Sequence, residues 1–385
     1  MRLGVYSDMV YRRDDAGVLS NNRAFVRFIT SLPPRVDELV LFGRLDPVPG
    51  RSSYVVPDDV RFVALPWYPK ASDVPALVRA VSGSCTAFAA ELARLDAVLV
   101  FGPQPMSMLF AALALARRTP LVLGVRHNYP RYIEKRLPGP GWRWAVAVAA
   151  GMDLAFRLAA RRAPTVALGD EIARRYRAGA APVLETGFSL VPRAHLRAPE
   201  EKNWDGPRTI LTVTRLDPEK NPLLLVDILA GLRSSDDRWR LVVAGDGPMR
   251  EALEERAAAA GLGGAMELRG EVPNGPELWQ AYADAHVFLH VSTTEGLPQV
   301  LLEAQAAATP IVATAVGGVA DALGHGRAGL LIPPADAGAA IAALRRLAAE
   351  PALRDRLVRA GSAHVEHETL EAQLDRLAAF VAAAA

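Results

Sequence analysis

Cysteine is almost missing from this chain. Cys85 stands alone in 385 residues, so no disulfide can close within it, which fits a reducing, cytoplasmic setting. Long uncharged runs are scarce too. No window reaches ~18 uncharged apolar residues, so no membrane span is expected. The opening "MRLGVYS" runs straight into a strand-like segment and lacks the charged, apolar and small-residue parts of a secretory signal. Nor is there an excess of one charge. Forty-four basic residues face 42 acidic ones, and a net charge of +2 argues against nucleic acid as a partner. Several motifs are also absent. No complete G-x-G-x-x-G, G-x-x-x-x-G-K-[ST], H-E-x-x-H, G-x-S-x-G or cysteine cluster occurs, so dehydrogenase, P-loop, zinc and serine-hydrolase readings lack support. His364 and His367 share a helical face, expected to be solvated rather than metal-binding.

What is present is an alternation. Short β-branched runs, turns and Ala/Leu/Arg-rich helical stretches follow one another, the pattern of βαβ units and a parallel sheet. Strands are expected at Leu3–Ser7, Leu39–Phe42, Arg61–Leu65, Ala97–Phe101, Leu121–Val125 and Thr165–Leu168. Helices are expected at Asn22–Ser31, Pro75–Leu95 and Met106–Arg117. "PRAHLRAPEEKNWDGP" then breaks the pattern, and the series restarts with "RTILTVT", "WRLVVAG", "AMELRG", "HVFLHVS", "PIVATA" and "AGLLIPP". The division expected is a domain at 1–192, a linker at 193–207, a second domain at 208–360 and a terminal helical segment at 361–385. Leu370, Leu374, Leu377 and Phe380 or Val381 give that segment an apolar stripe. Two doubly wound domains would face an interdomain cleft, because ligands sit beyond the carboxyl ends of such strands.

Three strand ends in the second half carry chemistry. Arg215 and Lys220 of "RLDPEKN" put two cations at a strand–loop–helix mouth, suited to a diphosphate, or else form a solvated loop paired with Asp217 or Glu219. "GDGP", from Gly245, is a tight turn that allows close backbone approach or is simply structural. In "STTEGLPQVLLEAQ", Pro298 is placed to start a helix, and Gly296 opens the way to its free N–H groups, an anion site. Glu295 and Glu303, eight residues apart, either flank one elongated ligand or are helix-start acids; Glu303 has the geometry to accept two hydrogen bonds from a ribose diol. His290 reads as a satisfied core histidine, whereas His127, ending "PLVLGVRH", should point into the cleft.

Taken in order, "TRLDPEKN", "VVAGDGPMRE", "LRGEV", "STTEGLPQVLLEAQA", "TPIVATAVGGVAD" and "GRAGLLIPPADAGAAIAAL" resemble the retaining glycosyltransferases of family 4, glycosyl transferases group 1. The resemblance covers Thr214 to Leu344, with Glu295 and Glu303 as the E-x7-E element; in the first half it is thinner. It implies the α/β GT-B fold, two Rossmann-like domains with a C-terminal helix crossing back to the N-terminal domain. It further implies that Arg215 and Lys220 bind the donor diphosphate, that Glu303 holds the ribose, and that Glu295 with Gly296, Leu297 and Pro298 holds the sugar. Gly245 would border the nucleotide, Val272 face the base, and His127 stand beside the sugar. The chain departs from the family at Thr214 (often Gly), Val291 (often Pro), Ala308 and Thr309 (usually Gly), and Asp321 (often Glu). The double glycine of the first loop is missing, leaving Gly17 for that task and Arg126 among an anion-receptive acceptor side.

The activity implied is transfer of a hexose-type sugar from a UDP- or GDP-sugar to an acceptor hydroxyl with retention, without cofactor or metal. The acceptor would be a small molecule, a glycan or a lipid-linked sugar. The alternatives are a nucleotide-sugar epimerase or hydrolase, or a non-catalytic nucleotide-sugar-binding module. The segment "WAVAVAAGMDLAFRLAA", Trp144 to Ala160, reads either as a half-buried helix or as an interfacial one giving peripheral membrane contact.

Overall fold

The computed structural model describes every residue except 69–73, 138, 178 and 297. The chain divides into two compact units, Met1–Leu190 with Glu371–Ala385, and Val191–Leu370.

Among the described residues, the first unit holds β1 (Arg2–Arg13), β2 (Leu19–Asn21), β3 (Glu38–Leu45), β4 (Tyr54–Val55), β5 (Arg61–Leu65), β6 (Ala97–Gly102), β7 (Leu121–Val125), β8 (Thr165–Leu168) and β9 (Val183–Thr186). A parallel sheet runs β5-β3-β1-β6-β7-β8-β9, and β2 and β4 add antiparallel to the far end of β1. β6 and β7 are buried along their whole length, which is why they read as unbroken apolar runs. The three strands the alternation did not foretell, β2, β4 and β9, have two to four residues each, too few to show a period. The helix Leu370–Ala382 belongs, from Glu371 onward, to this first unit. Its Leu374, Leu377 and Val381 are buried, Arg35 pairs with Asp375 at 2.6 Å, and Thr186 donates to Gln373 at 2.7 Å.

The second unit carries β10 (Arg208–Val213), β11 (Trp239–Ala244), β12 (Met266–Gly270), β13 (Val287–His290), β14 (Ile311–Thr314) and β15 (Leu330–Ile332). They form one parallel sheet in the order β12-β11-β10-β13-β14-β15. All six stand where the second series of apolar runs predicts them. The order reverses between β10 and β13, the point where two strand ends and their loops diverge.

Residues 193–207, expected as a linker, are part of the second unit. Trp204 is buried in its core beneath the Arg354 guanidinium, 4.2 Å from the ring. Lys202 Nζ donates to the Ala285 carbonyl, and the Arg197 N–H to the Ala306 carbonyl at 2.8 Å. Proline and charge made this stretch look like a tether, but one tryptophan and its cation neighbours are enough to seat it.

Candidate functional site

The reversal between β10 and β13 brings Lys220 and Glu295 together. After β10 a loop leads to a single 3-10 turn, Pro218–Lys220, and Asn221 closes it in the left-handed conformation at φ 54°. After β13 the chain runs through Ser292 and Glu295 to the helix Gln299–Ala306, with Pro298 in an extended conformation at its N-cap. Two hydrogen bonds tie the loops together: Thr293 donates to the Glu219 carbonyl from both its N–H, at 2.8 Å, and its hydroxyl, at 3.0 Å.

Lys220 and Glu295 meet here. Lys220 Nζ donates to Glu295 Oε1 at 2.6 Å, and both side chains are largely buried. His290, the last residue of β13, brings Nε2 to 3.0 Å from the same oxygen, within ion-pair reach but not aligned as a hydrogen bond. Burial by itself would raise the Glu295 carboxyl; His290, Lys220 and the Ser292 hydroxyl outweigh it and hold the group down at about 2. Glu295 is therefore a fixed carboxylate at physiological pH. Arg215 behaves differently: its side chain is 72% exposed and turns to its own loop, 2.7 Å from Asp217 and 3.5 Å from Glu219.

Glu303 lies in the buried face of the helix Gln299–Ala306. Its Oε2 accepts from the Tyr282 hydroxyl at 2.8 Å. Tyr282 is wholly buried, and burial together with the nearby carboxylate pushes its own pKa far up, so it stays a neutral donor.

Glycines shape the rest. Gly245 follows β11 at φ 144°, and a Cβ there would meet the Thr214 carbonyl oxygen at 1.7 Å. Its N–H donates to the Gly270 carbonyl at 2.6 Å, at the end of β12, and Val272 follows, partly buried against the core of the second unit. After β14, Gly317 takes φ 52° with its would-be Cβ 1.9 Å from the Glu295 carbonyl oxygen. Gly318 donates to the Gly296 carbonyl at 2.9 Å, so the Glu295–Gly296 turn rests on the neighbouring one. Gly296 itself is exposed and Pro298 buried; Leu297 lies outside the described residues.

In the first unit, Arg126 and His127 follow β7. The Arg126 guanidinium lies 4.6 Å from the Phe25 ring centre. His127 packs 4.7 Å from the Tyr132 ring, its Nε2 buried with no hydrogen-bond partner among the described residues. Burial, then the Arg126 charge, bring its pKa down to about 4, so the ring is neutral at physiological pH. Gly17 sits at φ 83° at the exposed tip of the β1–β2 hairpin, its N–H on the Asp14 carbonyl at 2.9 Å. That tip is far from where the order of this first sheet reverses, between β1 and β6. β1 pairs with β6 only as far as Tyr6, then runs on through Ser7–Arg13, about 20 Å of extended chain. The residues at the reversal are Ser7 and Asp8, and Asp8 is held by Arg44 at 2.9 Å.

Sequence reasoning missed Tyr282 and the contact of His290 with Glu295. His290 is buried, as a core histidine should be, yet it leans on Glu295. His364 is not on a solvated face either: Nδ1 is 2.8 Å from Gln305 Oε1.

Residues 196–364 match the family model of glycosyl transferases group 1. A GDP-mannose-dependent alpha-(1-6)-phosphatidylinositol monomannoside mannosyltransferase of Mycobacterium tuberculosis is 33% identical over 181 residues, 45% of this chain and 46% of that protein. An exopolysaccharide phosphotransferase of Streptomyces coelicolor is 36% identical over 147 residues, 38% of this chain and 15% of that protein. The matches thus span less than half the length of these curated relatives. Over whole chains, Anabaena HepE, solved in complex with UDP, superposes with a TM-score of 0.67 at 15% identity, covering 100% of both. At that identity the likeness establishes the fold, which is GT-B, two Rossmann-like domains in one chain.

Proposed function

We propose that this chain is a retaining glycosyltransferase that moves a hexose-type sugar from a UDP- or GDP-sugar to an acceptor hydroxyl in the cytoplasm, without a metal ion. The observation that carries the reading is the convergence of Lys220, Glu295 and His290 where β10 and β13 diverge, with the Tyr282-bound Glu303 one helix away. The match of residues 196–364 to group 1 glycosyl transferases supports it.

Breaking the bond to the diphosphate puts negative charge on the leaving phosphate and positive charge on the sugar ring. Lys220 opposes the first charge as a preorganised cation and Arg215 as an exposed one released from its loop carboxylates, each worth about 1.5–3 kcal/mol. At ~1.4 kcal/mol per decade, the pair accounts for ~10²–10⁴ in rate. Glu295, fixed as a carboxylate, accepts from sugar hydroxyls and is too weak a base to shuttle the proton. The leaving phosphate takes the acceptor proton instead, so no protein nucleophile is required. Glu303 accepts from the ribose diol, its orientation set by Tyr282. His127, neutral and with an open ring nitrogen, supplies a hydrogen bond rather than a charge.

The test is a thermal-shift screen against UDP, GDP, ADP and dTDP sugars, followed by turnover with and without acceptor. Stabilisation by a UDP- or GDP-sugar with slow turnover of donor alone is the expected result. Rapid conversion of donor alone would identify an epimerase or hydrolase, and binding without any turnover a non-catalytic module.

A further inference from the structure

The helix Arg143–Ala159 presents one face to the core and one to solvent, and the division is unusually clean. Ala149, Asp153 and Phe156 are buried. Asp153, the acid that interrupts the apolar run in the sequence, points inward, where Arg175 at 2.5 Å, Tyr176 at 2.9 Å and Arg157 at 3.0 Å hold it. With its only acid turned in, the outer face is apolar from end to end. Trp144 is 62% exposed, Val148 49%, Leu154 50% and Leu158 50%, and Trp142 extends the row at 44%. At about 100° per residue, Trp144, Val148, Leu154 and Leu158 fall within an arc of about 120° on one side of the helix.

Charge marks the same region. Residues 131–162 contain seven Lys or Arg and two acids, one of them the buried Asp153, in a chain with 44 basic and 42 acidic residues overall. Arg143 at the helix start and Arg161 and Arg162 past its end are exposed, and the helix Tyr129–Arg136, packed alongside, adds exposed Lys135 and Arg136, with Arg131 paired to Glu171 at 3.1 Å.

We infer that this face is a docking surface for an anionic phospholipid bilayer. An apolar row bordered by cations lies in the plane of a lipid interface, the side chains among the acyl tails and the cations on the headgroups. A second copy of this chain is a poorer occupant, because self-association would bring two strongly basic patches together. The surface is interfacial and not spanning: among the described residues no helix is long and apolar enough to cross a membrane.

The experiment is co-sedimentation of the purified chain with phosphatidylcholine vesicles, alone or with about one-third phosphatidylglycerol. Expected is binding to the mixed vesicles that falls by at least about tenfold in neutral vesicles, in high salt, and in the Leu154→Glu/Leu158→Glu double variant. Arg161→Glu/Arg162→Glu should lose anionic selectivity without touching the apolar row. Both positions in each variant are exposed, so unchanged circular-dichroism melts and unchanged nucleotide-induced thermal shifts separate this inference from the donor reading. Equal binding to neutral and anionic vesicles, undiminished binding by the variants, or a dimer abolished by Leu154→Glu/Leu158→Glu would each overturn it.

Discussion

Lys220 Nζ and Glu295 Oε1 lie 2.6 Å apart, joining the loops after β10 and β13. The cation assigned to the diphosphate and the carboxylate assigned to the sugar are thus each other's partner. Because the pair is largely buried, removing Lys220 leaves Glu295 with only His290 and Ser292 to offset its charge. Lys220→Ala should lower turnover by about 10–100-fold while costing on the order of 3 kcal/mol of stability, and steady-state kinetics beside urea unfolding will read both. Unchanged turnover would remove Lys220 from the donor site.

The depressed Glu295 carboxyl sets an acid limit. A folded value of about 2, below the ordinary 4.5, means stability fully present above 4.5 and lost as pH falls toward 2. The size is on the order of 3 kcal/mol. Glu295→Gln should be less stable than the parent near neutrality, and the gap should narrow through that window. Urea midpoints across the acid range give the comparison; a constant gap would contradict the assignment.

Arg215 offers the contrast. Exposed and paired only with carboxylates of its own loop, it contributes little to folding. Arg215→Ala should change stability by less than about 0.5 kcal/mol yet weaken nucleotide-diphosphate binding by about tenfold, measured by calorimetry with UDP and GDP.

Tyr282→Phe removes the donor on Glu303 Oε2. The loss of a buried hydrogen bond predicts about 1–3 kcal/mol lower stability. The functional signature should be a raised KM for the donor with kcat nearly unchanged, together with a smaller preference for UDP over dTDP. A stability loss with the same preference would make Tyr282 merely structural.

Ala308 carries a left-handed backbone, φ 55°, a conformation that favours glycine. Ala308→Gly should therefore stabilise by about 0.5–1 kcal/mol, visible as a later denaturant midpoint with activity retained.

The sequence displayed those parts of the site that lie on one continuous stretch. Glu295 and Glu303 share a loop and the helix it enters, and Arg215 and Lys220 share another loop, so their spacing alone was informative. Tyr282 was hidden because its hydroxyl reaches Glu303 from a different helix, 21 residues upstream. His290 was hidden by its strand: an apolar run says that the ring is buried, not what it touches. In the first unit the glycine-for-glycine comparison drew attention to Gly17, whereas strand pairing decides where the sheet opens, and it opens at Ser7 and Asp8.

The turn at Glu295–Gly296 is cast against its neighbours: Gly317 abuts the Glu295 carbonyl, Gly318 holds that of Gly296, and Thr293 grips Glu219. Such a turn cannot be lengthened or re-bent without disturbing two adjoining strand ends. If this turn holds the sugar as proposed, new sugar preferences would arise by exchanging side chains on a constant backbone, and insertions should be rare among functional descendants.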